Sequence, residues 1–124
     1  MAIMSKETIN LFRDPESSKM LATIDANGMP NMSPKGSLIA LNEGVLAFAA
    51  KDEGKTTNNL AVNGKVAAAA FKAGTGCQVK GTFRGFQAGG PQFEQFAETI
   101  KASGTPARWI SNVESVGIIE VQEE

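Results

Sequence analysis

Gly54-Lys55-Thr56, inside KDEGKTTNNL (51–60), has the residue types of a phosphate-binding loop's tail. A triphosphate loop of the form GxxxxGK[ST] needs a glycine five residues before Gly54, and Ala49 stands there. Asp52 and Glu53 also put two carboxylates where a triphosphate would crowd. That reading fails on spacing. What remains is a helix start carrying Lys55, followed by Thr56, Thr57, Asn58 and Asn59 with no acidic residue. Such a turn offers unpaired amide N–H groups, two hydroxyls and an ammonium, a set suited to a phosphate monoester. It is equally compatible with a solvated lysine beside a capping Thr or Asn.

A second stretch, PNMSPKGSL (30–38), sets Lys35 between Pro34 and Gly36, with Ser33 and Ser37 on either side. The proline removes one backbone donor, and the glycine lets a ligand or another backbone come close. A β-bulge with an edge-strand lysine would explain the glycine and the charge, but not the crowding of hydroxyls around a cation. A third stretch, AFAA (47–50), ends in Ala49 and Ala50, small enough to leave room for a flat ring or simply to pack a core.

The absences are as informative. The chain has no His and no Tyr, so imidazole triads, imidazole bases and HExxH zinc sites are excluded. One cysteine, Cys77, allows no internal disulfide and makes a soft-metal site within one chain unexpected; no metal ligands are assigned. The net charge of −1, with acids and bases interspersed, points to neither nucleic acid nor an anionic membrane. No run is long enough to span a bilayer, and MAIMSKETINLF lacks a signal-peptide core, so a cytoplasmic location is expected. At 124 residues, 42% of them hydrophobic, residues 1–124 are expected to form a single domain.

The elements that must position these residues are marked by local signals. SKETINLFR (5–13) reads as a helix capped by Ser5 and stopped by Asp14-Pro15. MLATIDA (20–26) and MPNMSPKGSLIAL (29–41) flank Asn27-Gly28, a strong hairpin signal. Asn42-Glu43-Gly44 turns the chain into GVLAFAA, and KTTNNLAVN reads as a short helix with Gly64 as a left-handed cap. KVAAAAF (65–71) would suit a helix on propensity, but its length and flanking turns favour a strand. AGTG (73–76) leads to the strand CQVKGTFRGFQ, and Gly89-Gly90-Pro91 opens a helix with Phe93, Phe96, Ala97 and Ile100 on one face. SVGIIEVQ (115–122) closes the pattern. The expected fold is mainly β: six or seven antiparallel strands in a closed or partly closed barrel, with short helices packed outside.

The order NGMPNMSPKGS, a hydrophobic strand, then EGKTTNNLAVNGKVAAAAF resembles the pyridoxamine phosphate oxidase-related, FMN-binding split-barrel family, notably its small bacterial members. GTGCQVKGTFRGFQAGGPQFEQF matches the same family's next strand and helix, so the resemblance runs over roughly residues 18–103. It implies FMN at a homodimer interface. One strand, Ser33-Pro34-Lys35-Gly36-Ser37, would follow the ribityl chain and ring edge. Ala49 and Ala50 would present backbone to the isoalloxazine. Lys55 and Thr56 would hold the phosphate, with Asn59 one turn away. Full-length pyridoxamine phosphate oxidases add an Arg- and His-bearing C-terminal extension with no counterpart here, so oxidation of that vitamer is not expected. Arg108 and Trp109 would reach a partner's flavin, or Trp109 instead plugs a core or an interface. The resemblance implies a flavin-dependent oxidoreductase or electron carrier served by NAD(P)H or a redox protein, with no catalytic residue assigned. The alternatives are a flavin store or sensor, or a reductase using another flavin-like or haem-type cofactor.

Overall fold

The computed structural model describes residues 3–50, 55–106 and 113–124. Among them the chain forms α1 (Lys6–Arg13), β1 (Ser18–Ile24), β2 (Pro30–Pro34), β3 (Ile39–Asn42), β4 (Val45–Ala50) and α2 (Lys55–Val62). It continues through β5 (Lys65–Lys72), β6 (Thr75–Gln87), α3 (Pro91–Ser103) and β7 (Ser115–Glu123). The strands form one antiparallel sheet in the order β2-β1-β5-β6-β7-β4-β3. Its two edges, β2 and β3, are consecutive in the chain, and the Lys35–Leu38 turn links them. This is a split barrel: a single rolled sheet with a seam.

Local chemistry accounts for most boundaries. Ser5 Oγ accepts from Thr8 N–H at 3.2 Å and caps α1. The Asp25 carboxylate accepts from Asn27 and Met29 N–H at 2.8 and 2.9 Å, tying the turn in which Gly28 takes φ +80°. Ala73 and Gly74, both at positive φ, make the two-residue connection between paired Lys72 and Thr75. Gly104, at φ +79°, ends α3.

Three expectations are corrected. The first strand begins at Ser18, two residues earlier than its apolar pattern suggests. Residues 29–41 are two strands, because Pro34 supplies no N–H and Leu38 N–H closes a turn on Lys35 C=O at 3.0 Å. Gly64 is not a left-handed cap. Asn63 N–H continues the helical bonding to Asn59 C=O, Asn63 Oδ1 accepts from Lys65 N–H, and Gly64 C=O accepts from Phe83 N–H. The glycine enters β5 directly beside β6, where an added Cβ would come no closer than ordinary contact, 3.4 Å from the Phe83 carbonyl.

The sheet has two apolar faces. Inside the barrel, Leu21, Leu46, Phe48, Ala68, Ala70, Val79, Ile119 and Val121 pack with Phe12 of α1 and Leu60 of α2. Outside, Ile39, Leu41, Ala47, Ala49, Val116 and Ile118 are covered by Phe96 and Ile100 of α3. That helix shields only the β3-β4-β7 half. No helix among the described residues is long and apolar enough to cross a membrane.

Candidate functional site

The two polar stretches singled out in the sequence meet beside α2. Strand alternation puts Asn31 and Ser33 on the face of β2 shared with buried Thr23 and Leu21 of β1. From there Ser33 Oγ lies 3.0 Å from Thr56 Oγ1, and Asn31 Nδ2 donates to the same oxygen at 3.4 Å. Thr56 is buried in the first turn of α2, which contains no acidic residue. Hydroxyls and a side-chain amide therefore converge at the start of a helix. Lys55 begins α2, while its side chain falls outside the described residues, as do Arg108 and Trp109. Asn59 faces elsewhere: its Nδ2 donates to Thr23 Oγ1 at 3.1 Å, with both residues buried, and fastens α2 to β1.

Ser33, Pro34, Lys35, Gly36 and Ser37 do not share one strand. Ser33 and Pro34 end β2, whereas Lys35, Gly36 and Ser37 span the seam. Lys35 Nζ sits 5.6 Å from the centre of the Phe48 ring, close enough for a cation–π contact. Phe48 belongs to an aromatic group with Phe83 and Phe86, whose own rings are 4.8 Å apart and edge-on.

Ser37 and Ala49 are directly joined. Ile39 pairs with Ala47, so extending that antiparallel register would set residue 37 opposite residue 49. β3 begins too late to provide the backbone acceptor. Ser37 Oγ provides it instead, accepting from Ala49 N–H at 2.9 Å in a buried bond. Both residues are nearly inaccessible, whereas Ala50, at the strand's end, is half-buried.

Sequence reasoning missed Asn31, Ser17 and Lys19. Asn31 was legible as part of the alternation Asn31, Ser33, Lys35, which lines one face with polar groups. Lys19 is 4% exposed and points inward with Leu21 and Thr23. Burial pushes its ammonium down from 10.5 to about 8, while Asp14 acts through space in the opposite sense. Lys35 N–H donates to Lys19 C=O at 3.0 Å, which sets the two lysines opposite each other across the β1–β2 ladder.

Comparison with known proteins bears on the family and the fold. A sequence model of the family described as pyridoxamine 5'-phosphate oxidase matches residues 5–116, and the chain belongs to that family. Among solved structures, HupZ of Group A Streptococcus is 27% identical, with a TM-score of 0.76 over 97% of this chain and 90% of that one. An FMN-binding protein of Syntrophomonas wolfei shares the fold at 15% identity, TM-score 0.72, over 94% of this chain and 82% of the other. HutZ, the heme storage protein of Vibrio cholerae, does so at 19% identity and TM-score 0.58, over 100% and 92%. No curated protein matches the chain.

Proposed function

We propose that this protein binds FMN and acts in the cytoplasm as a homodimeric flavin-dependent oxidoreductase or electron carrier. The observation that carries the reading is the convergence of Ser33 and Asn31 on Thr56 at the first turn of α2. This donor set fits a phosphate monoester: neutral hydroxyls and amides at a helix start, with no carboxylate in that turn to repel it. Lys55 and Lys35 supply cationic charge to the same reading. Family membership and an FMN-binding structural relative support flavin over other phosphorylated ligands. A haem-type group would have to be held without imidazole, since the chain has no His.

Ser33, Lys55, Thr56 and the α2 amides would hold the phosphate. Pro34, Lys35, Gly36 and Ser37, together with Ala49, Ala50 and Asn59, complete the set assigned to the cofactor. When bound, FMN supplies the redox chemistry; the chain orients it, shields it from water and sets the charge around it. Reduced nicotinamide or a protein donor would deliver electrons.

The dimer is supported by the half of the sheet that α3 leaves bare. Cross-strand rows Met32–Ala22–Ala67 and Pro34–Met20–Ala69 run over β2, β1 and β5 on the outer face. Met32 is 66% exposed, an apolar surface suited to a second copy of the chain.

An absorption spectrum of fresh protein, with the acid-released chromophore identified by mass, tests the cofactor. Thr56→Val should weaken FMN binding about tenfold in a fluorescence titration, the scale of one hydrogen bond to a charged group; unchanged affinity removes Thr56 from the site. Anaerobic mixing with NADH or NADPH should bleach the flavin band. An unbleached band selects a store or sensor instead.

A further inference from the structure

At the start of β1, away from Thr23 and Asn59, two buried polar atoms lack hydrogen-bond partners among the described residues: Lys19 Nζ and Ser17 Oγ. Both residues line a cleft of about 460 Å³ whose walls also include Pro34, Gly36, Phe71 and Pro106. Buried ammonium groups are ordinarily paired, and an unpaired one in a cleft that also carries an unpaired hydroxyl marks a place for a ligand of opposite charge.

Among the described residues no acid is hydrogen-bonded to Lys19, and Asp14 acts on it only through space. Asp14 and Glu16, in the α1–β1 loop, are bound by Lys72 of β5 at 2.8 and 3.2 Å.

We propose that this cleft binds a small organic carboxylate, with its head group taken by Lys19 and Ser17 and its apolar body lying among Pro34, Phe71 and Pro106. One ammonium and one hydroxyl match a monoanion, whereas a phosphate dianion would also face the Glu16 carboxylate on the same wall. The four-carbon stem of Lys19 lets the ammonium swing from its sealed position toward the ligand. Pro34 and Gly36 also belong to the segment assigned to FMN, which makes the carboxylate a second ligand of that site. That role rests on the flavin reading; binding of the carboxylate itself does not.

Benzoate titrated into the full-length protein at pH 6.5, followed by amide NMR, tests the proposal. Saturable shifts are expected at Ser17–Met20, Lys35 and Gly36, with benzyl alcohol producing none. Lys19→Met, checked for folding by circular dichroism, should weaken benzoate at least about tenfold, as loss of a charge-assisted bond does. Ser17→Ala should weaken it less. Wild-type affinity should fall above pH 8, where Lys19 loses its proton; among the described residues Asp14 acts on it through space, Glu16 shares the cleft wall, Lys72 binds both acids, and Lys35 is joined to Lys19 through the backbone. Absence of saturable binding, or equal binding by Lys19→Met, overturns the site. A parallel FMN titration separates the two readings: benzoate bound without FMN keeps this site and removes the flavin.

Discussion

Lys19 is a charge carried inward without a bonded counter-ion among the described residues, and that has a thermodynamic signature. Its folded-state value of about 8 lies below the ordinary 10.5, so between these pH values the unfolded chain binds the proton more tightly. Stability should therefore rise as pH climbs through that window, and the penalty should be fully present below it. Lys19→Met is expected to stabilise the protein at pH 7 by on the order of 3 kcal/mol or less and to abolish the rise. Urea unfolding at pH 7 and pH 10 checks both. Ser37 makes the opposite case, a buried hydroxyl fully used. Ser37→Ala should strand Ala49 N–H and cost about 1–3 kcal/mol, measurable in the same experiment. At this scale the sequence was half legible. Ser33 and Thr56 stood out because hydroxyls crowded a cation and a helix start. Lys19 did not, because its inward direction depends on where β1 begins.

The strands owe their close packing to a few positions without side chains. A Cβ on Gly81 would press against the Glu120 carbonyl and come within 2.9 Å of the Ile119 side chain. Because a ladder backbone cannot move aside cheaply, Gly81→Ala should cost about 2–4 kcal/mol, read as a lower melting temperature. Gly117 plays the same part beneath the Phe48 ring. Helices and hairpins were readable from the sequence because caps and turns are local: Ser5, Asn27-Gly28, Ala73-Gly74 and Gly104 each act within a few residues. The break at Lys35 was not, since MPNMSPKGSLIAL keeps its apolar character across the seam and only pairing partners reveal the division. Gly64 was misread for a related reason. A glycine after a helix suggests a left-handed cap, but here its carbonyl pairs with Phe83 of β6 and the chain passes straight into the next strand.

For the whole molecule, α3 divides the outer surface into a covered and a bare half. If a second copy covers the bare half, Met32→Glu should shift the protein toward monomer in sedimentation at micromolar concentration while leaving the far-ultraviolet dichroism intact. A wild-type monomer loaded with FMN would contradict the assembly. The strand order, which no local pattern could disclose, also bears on how the chain is made. β4 pairs with β7, yet everything from Ala50 to Ser115 must be synthesised between them. At translation rates of about 5–20 residues per second, that interval is roughly 3–13 seconds. Throughout it, VLAFAA has no neighbour on its β7 side, and its backbone is open to any extended segment nearby. The ribosome's tempo, more than the finished barrel's stability, sets how long this apolar edge is vulnerable to aggregation.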